Sequence, residues 1–477
     1  MLKRLFFMLL LLLLTTLSSA QRRDIHILAV NDMHATLEAM PKLAAIADSL
    51  RSIYPSLLVL SAGDNRTGNP FSDLYEIPGY PMVALMNLIG FNASAVGNHE
   101  FDAKSLAQLC PRSAFPYICA NISADDSTGI HTIPYRMFDV DGLKVGIIGV
   151  VQINPAKGTP DAHPHFLRGI SFEDPICVVP RYEWLSRQCD ATILLSHAGY
   201  WDDIKIAGEC PWIDLIVGGH THRQLSEEEP LHNGVLITQN RNMLIQVTHI
   251  TLTVDSGRVV DKKADYINVH HPGNENKVAA AMVKDFHENP YFRQVLAKAE
   301  TPFETRNEVG TMVCDALKEE TGADIAIMNY RGVRVRSLPA GDITVGDALK
   351  VDPFGNNAVL ATMTGAELER FLISYGRMNI YHFPHLSGMS AELLVDKNDP
   401  SSILKVTLLD ADGKRFNKKK TYRIVTNSYV IANGGKDVPT TTNVLSKTTS
   451  DMVMDYLQKQ KTVSYQGKGN LHYMPTK

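Results

Sequence analysis

Seven side chains able to hold a divalent cation stand at the ends of apolar runs in the first half of the sequence. Asp32 and His34 follow Ile25–Val30 as Asn31-Asp32-Met33-His34, and Asp64 follows Leu57–Leu60 in Gly63-Asp64. Asn98 lies in Gly97-Asn98-His99-Glu100-Phe101-Asp102, after the run through Val96. His197 closes Ala191–Leu195, and Gly218-Gly219-His220-Thr221-His222 closes Leu215–Val217. A single Asp or His at such a place is ordinarily a turn residue or a helix cap. Five run-ends in succession that offer carboxylate, amide and imidazole groups form a ligand pattern. The spacing of two in Asp32/His34 and in His220/His222 predicts, for extended segments, side chains that point the same way. Oxygen and nitrogen donors without thiolates suit Mn²⁺, Zn²⁺, Fe or Co²⁺ rather than Ca²⁺. Seven donors are too many for one tetrahedral ion, and a carboxylate bridging two ions resolves the count.

Such donors must be carried by strands whose carboxyl ends converge, as ligand sites in α/β proteins do. From Asp24 to about Asn268, short β-like runs alternate with amphipathic segments such as Pro41–Tyr54 and Tyr80–Ile89. That alternation predicts a layered α/β domain over 24–270, with a β-rich close from Val235 to Ile267. Residues 271–299 turn Ala-, Lys- and Glu-rich and read as one exposed linker helix. A smaller α/β domain is expected over 300–475. In it, Thr364-Gly365-Ala366-Glu367 is a capping box that opens a helix through Leu372.

Composition narrows the class. The 477 residues carry a net charge of −4, so nucleic acid is not an expected partner. Residues 1–20 read as a secretory signal peptide: Lys3 and Arg4, the apolar run Leu5–Leu14, then Ser18-Ser19-Ala20. The apolar run is short for a membrane span, so no stable anchor is expected and the product should be periplasmic or secreted. Export permits disulfides among the six cysteines, but spacing cannot pair them. Cys314, inside the helical pattern Val313–Leu317, reads as a buried thiol.

The set Asp-x-His, Gly-Asp, Gly-Asn-His-Glu-Phe-Asp, His and Gly-Gly-His-Thr-His resembles the calcineurin-like metallophosphoesterases. More narrowly, it resembles the secreted 5′-nucleotidase and UDP-sugar hydrolase family, over nearly the whole mature chain. The resemblance implies a β-sandwich flanked by helices, followed by a substrate-binding domain. It implies one metal on Asp32, His34, Asp64 and His222, and a second on Asp64, Asn98, His197 and His220. Two such ions activate a bridging water as hydroxide and clamp the phosphate oxygens of an in-line displacement. His99 would then stabilise the transition state or protonate the leaving alkoxide, with Asp102 orienting its imidazole.

In the second half, Asn329-Tyr330-Arg331-Gly332-Val333-Arg334 resembles the family's Asn-Gly-Gly-x-x-Arg loop at Asn329, Gly332 and Arg334, but not at Tyr330 or Arg331. Arg334 is the expected phosphate or base contact. Arg306 matches a second family arginine with a one-residue slip. Phe383 matches one of two aromatic plates that hold the base, and Phe354, in a structural turn, is expected in the core. The other plate has no aromatic counterpart in Asn433-Gly434-Gly435-Lys436-Asp437-Val438, which leaves base recognition weak or broad. The expected substrate is a small nucleotide: a 5′-monophosphate, with di- and triphosphates or UDP-sugars alongside. A 2′,3′-cyclic nucleotide, a 3′-nucleotide or another phosphomonoester is the alternative, and a non-catalytic surface binding protein a third.

Overall fold

The structure is a computed structural model, in which residues 22–270, 273–288, 290–378, 383–397 and 403–476 are described. The expected signal peptide lies outside the described residues. The chain divides into two compact units, one of residues up to Thr67 with Tyr75–Asp285, the other of Gly68–Leu74 with Phe286–Lys477.

The first unit is built on two sheets. One has six strands in the order Arg258–Asn268, Gln246–Asp255, Arg23–Val30, Leu58–Ser61, Ala93–Ala95 and Tyr117–Ile118. The last four of these run parallel, and the first two add to the Arg23–Val30 edge in antiparallel fashion. The other sheet has five strands in the order Leu236–Thr238, Leu215–Gly218, Ala191–His197, Leu143–Val151 and Tyr135–Val140. Inward-facing Ile27, Leu60 and Ala95 of the first sheet meet Ile147, Ile193 and Val217 of the second in one core. Alternate residues of the second sheet, Ile148, Leu194 and Ile216, face outward and pack with Tyr200, Ile206 and Ala207 of the helix Tyr200–Glu209. Burial of both faces explains why these strands read as continuous apolar runs rather than alternating ones.

The second unit has a five-stranded sheet in the order His385–Ser387, Ile325–Met328, Thr421–Asn427, Asn357–Thr364 and Thr442–Thr448. The helix Arg306–Thr321 lies against it, opened by a capping box between Thr305 and Glu308. Thr364 and Glu367 cap the helix Gly365–Met378 as the sequence predicts. Gly68–Leu74 belongs here because Phe71 packs on Phe292, with ring centroids 4.6 Å apart.

The connector departs from a single exposed helix. The helix runs Lys277–His287 only. Pro290 lacks an amide hydrogen and disfavours helical geometry in the residue before it. Val295–Ala299 is instead a strand, paired with Gly341–Thr344 and Thr462–Val463 and burying Ala297 and Ala299. The six cysteines are all unpaired, and Cys314 is buried. No helix among the described residues is long and apolar enough to cross a membrane.

Candidate metal centre

Four parallel strand ends and one loop bring the first-half donors together. Arg23–Val30 ends two residues before Asp32, and Leu58–Ser61 ends three before Asp64. The two loops are zipped by backbone bonds from Asp32 N to Gly63 O at 3.0 Å, His34 N to Asp64 O at 3.0 Å and Ala35 N to Asn65 O at 2.9 Å. The loop Gly97–His99 follows Ala93–Ala95, His197 is the last residue of its strand, and His220 and His222 follow Leu215–Gly218.

These loops are not extended, contrary to the reading of the two-residue spacings. Asp32, His34, Asp64, His220 and His222 all have positive φ, between 47° and 69°. For residues with a Cβ this left-handed region costs about 1–3 kcal/mol each and persists where surrounding contacts enforce it. The side chains converge because tight turns aim them, not because a pleat alternates. Gly97 makes the closure possible: a Cβ there would lie 2.2 Å from Asp64 Oδ1.

Donor atoms of Asp32, His34 and His222 lie within 4.8 Å of one another, as do those of Asp32, Asp64 and His197, and those of His34, Asp64 and His99. His222 Nε2 is 3.1 Å from Asp32 Oδ1 and 3.1 Å from His34 Nε2. His197 Nε2 is 3.2 Å from Asp64 Oδ2, yet the pair lacks hydrogen-bond alignment and the buried nitrogen has no hydrogen-bond partner. Ligands at 2.0–2.1 Å around a tetrahedral ion sit about 3.3 Å apart, so these separations fit donors sharing a cation. The other ring nitrogens are held by backbone carbonyls: His197 Nδ1 is 2.7 Å from Ala62 O, and His34 Nδ1 3.1 Å from Thr67 O. A proton on each Nδ1 leaves Nε2 as the lone-pair donor, the arrangement that orients metal-binding histidines. Asn98 Oδ1 is 3.1 Å from His220 Nδ1. The chemistry and spacing of this donor set fit divalent cations.

Burial alone would raise the Asp64 carboxyl, but His197, His99 and His34 around it hold it well below the usual range. His220 is pushed down to about 4, by burial first and then by His197. Burial thus favours its neutral form, the form in which a histidine binds metal.

His99 and Asp102 meet as expected: Nδ1 to Oδ2 is 2.7 Å. His99 also donates its backbone N–H to Asp64 Oδ1 at 2.8 Å, which ties it to the same cluster.

Sequence reasoning missed the groups that hold the donors. Glu100 is fully buried and accepts the backbone N–H groups of Asp64 and Asn65, each at 2.9 Å, and of Gly97 at 2.7 Å. Burial pushes its carboxyl up, with Asp64 adding to the effect. Asn31 Nδ2 donates to Asp32 Oδ2 at 2.7 Å, and the Asp161 backbone carbonyl accepts from Asn98 Nδ2 at 3.2 Å. Glu100 lies inside the Gly97–Asp102 motif, the one signal available; Asp161 carried none.

The second-half candidates lie in the other unit and are described within it. Arg334 and Arg306 are linked, Arg306 Nη2 donating to Arg334 O at 3.5 Å. The Arg334 guanidinium lies 5.7 Å from the Phe354 ring, so Phe354 is half-buried beneath it rather than in the core. Asn329 Oδ1 accepts from Asn427 Nδ2 at 2.9 Å, which makes Asn329 a brace of the loop. Phe383 does not offer a plate in this structure. It is 1% exposed, packed in the core with Phe371 and Leu386 and against Gly376. Val438 packs on the same core.

The sequence model of the calcineurin-like phosphoesterases matches residues 25–224, and that of the 5′-nucleotidase C-terminal domain matches 287–443. The chain is 27% identical to protein UshA of Yersinia enterocolitica, across 94% of each chain. It is 28% identical to a 5′-nucleotidase of Vibrio cholerae, over 86% of this chain and 84% of that one. A 5′-nucleotidase precursor from Thermus thermophilus superposes with a TM-score of 0.79 over 95% of this chain and 99% of its own, at 24% identity, which is a likeness of fold.

Proposed function

The chain belongs to the calcineurin-like phosphoesterases that carry a 5′-nucleotidase C-terminal domain, and from that premise we propose that it hydrolyses nucleoside 5′-monophosphates. The convergence of Asp32, His34 and His222 donor atoms within 4.8 Å of one another, and of Asp32, Asp64 and His197 likewise, carries this reading. Asp32, His34, Asp64 and His222 would hold one divalent cation, and Asp64, Asn98, His197 and His220 a second, with Asp64 shared. When bound, such a pair supplies positive charge for the phosphoryl oxygens and a water acidic enough to attack phosphorus near neutral pH.

The chain's own residues do the rest. Asp102 fixes the His99 ring through Nδ1, so that Nε2 faces the leaving oxygen and moves a proton to it or stabilises its charge. Arg334, with Arg306 beside it, grips an anionic group of the substrate. Export to the periplasm or medium accompanies this reading, on the character of residues 1–20.

Base selectivity is broad. Phe383 is in the core and Val438 stands where an aromatic is expected, so neither stacks on a base. That observation keeps 2′,3′-cyclic nucleotides and 3′-nucleotides as the second reading. Phosphate release by chelator-stripped, Mn²⁺-reloaded protein separates the two. Release from 5′-AMP and 5′-UMP at similar rates is expected. Intact 5′-AMP, UMP and UDP-glucose beside cleaved 2′,3′-cyclic AMP or 3′-AMP would reverse the order.

A further inference from the structure

The side chain of Asn98 is oriented by a single bond to a loop. Its Nδ2 lies 3.2 Å from the Asp161 backbone carbonyl, and its Oδ1 lies 3.1 Å from Nδ1 of His220. A carbonyl oxygen can only accept, so the amide NH₂ must face Asp161 and the amide oxygen must face His220. The choice decides whether Asn98 can serve a cation. An amide oxygen is a donor to a divalent ion, whereas an NH₂ turned toward the ion presents its hydrogens. Asn98 is 4% exposed, so little solvent reaches the amide to take the place of the carbonyl.

Asp161 lies between the strand Leu143–Val151 and the one-turn helix Pro164–Leu167. Loop backbone is ordinarily the mobile part of a fold, but this loop is tied at its Asp161 side chain. Oδ1 of the carboxylate accepts from Lys157 Nζ at 2.8 Å and from Asn154 Nδ2 at 2.9 Å, and Oδ2 accepts from Gln152 Nε2 at 3.2 Å. The buried Gln152 also accepts the Asp161 backbone N–H through Oε1 at 3.0 Å. Asn154 N donates to Thr159 O at 2.9 Å, which closes the turn between them. A lone exposed pair such as Lys157 with Asp161 contributes little to stability. Three donors converging on one carboxylate instead fix the peptide whose carbonyl holds Asn98. Among the described residues, hydrogen bonds from 152–161 to the donor set run to Asn98 alone.

We propose that Asp161 is a positioning residue for the second cation: its caged carboxylate fixes the loop 152–161, and the loop carbonyl turns Asn98 so that Oδ1 is offered to the ion. The inference rests on the proposed ligand division, in which Asp64, Asn98, His197 and His220 hold that ion, and not on which ester is cleaved. Loss of an outer partner of this kind ordinarily weakens a metal site by about 10–100-fold. The loss should be confined to one of the two ions.

Mn²⁺ titration followed by electron paramagnetic resonance reads each ion without turnover. His34→Ala leaves the second ion and His197→Ala the first, so each background reports one site. Asp161→Ala should weaken Mn²⁺ binding by about 10–100-fold in the His34→Ala chain, and by no more than about twofold in the His197→Ala chain. The variant Asn154→Ala/Lys157→Met leaves the Asp161 charge in place and should reproduce that selective loss. It also separates anchoring from charge, because removing a cation beside a carboxylate that acts by its charge would tighten Mn²⁺ instead. Unchanged binding, equal losses at both sites, or tighter binding in the Asn154→Ala/Lys157→Met chain overturn the proposal. Fewer than two Mn²⁺ ions on the wild-type chain overturn the two-cation reading, and this role with it. A selective loss upholds the role of Asp161 even on a chain that cleaves no nucleotide, a result that would refute only the ester reading.

Discussion

Nδ1 of His99 lies 2.7 Å from Oδ2 of Asp102, and that same oxygen accepts the Thr67 hydroxyl at 3.0 Å. The carboxylate is thereby held on two sides and fixes both the ring plane and the tautomer of His99. A group that acts only as charge or proves to be a mere cap would not need this. His99→Ala should lower kcat by about 10²–10⁴-fold, the usual range for a positioned acid or base. Asp102→Asn should cost less, and the double variant no more than His99→Ala, because the pair acts as a unit. Metal content, read by plasma mass spectrometry, should stay at the wild-type level in all three. A loss of metal in His99→Ala would reassign His99 as a ligand.

The proposed division of ligands makes separate stoichiometries measurable. His34 belongs to one cation and His197 to the other, with Asp64 shared. His34→Ala and His197→Ala should each retain about one ion of two, and Asp64→Asn should retain neither under the same dialysis. Full retention by Asp64→Asn would exclude it as the bridge.

Much of the first unit is legible in sequence because its parallel strands are buried on both faces. The run Leu215–Val217 lies within the strand Leu215–Gly218, and the helix Tyr80–Ile89 coincides with its sequence reading, residue for residue. The donors were legible for a related reason: each lies within a few residues of the end of an apolar run. What held them was not. Glu100 acts through three backbone amides, two of them 35 and 36 residues away, and a carboxylate serving backbone N–H groups has no residue pattern of its own. The left-handed turns at Asp32 and Asp64 were hidden too, since period-two spacing is the same in a strand and in a coiled loop. In the second unit, Phe383 was matched by local motif, but its burial depends on packing against Gly376 and the sheet, which no short motif encodes.

Glu100 deserves a direct test because its nearest isostere is not benign. In Glu100→Gln, one oxygen becomes an NH₂ facing backbone N–H donors that now have no acceptor. Each such buried donor costs about 1–3 kcal/mol. A loss of that size shifts the midpoint of a unit this large by about 2–4 °C per kcal/mol, so a drop of about 5–10 °C is expected for the first unit. Divalent-cation affinity should fall as well, since Asp64 and Gly97 lose their anchor. A midpoint within about 1 °C of wild type would show that Glu100 is not what holds the loops.

Asp352 gives the second unit a pH signature of its own. Its carboxyl is fully buried, accepts the Thr449 hydroxyl, and is pushed up to about 6 by burial. A folded-state pKa raised above the unfolded value of 3.8 contributes stability that is complete below that value. The contribution is lost as pH rises through about 6. The shift from 3.8 to about 6 corresponds to a loss on the order of 3 kcal/mol at pH 8 relative to pH 4. Asp352→Asn keeps an oxygen for Thr449 and has no charge to bury. It should therefore unfold at a higher temperature than wild type at pH 8, with the advantage shrinking toward pH 5. Calorimetric scans across that range on both proteins decide the matter: parallel midpoint curves would mean that Asp352 does not titrate between those limits.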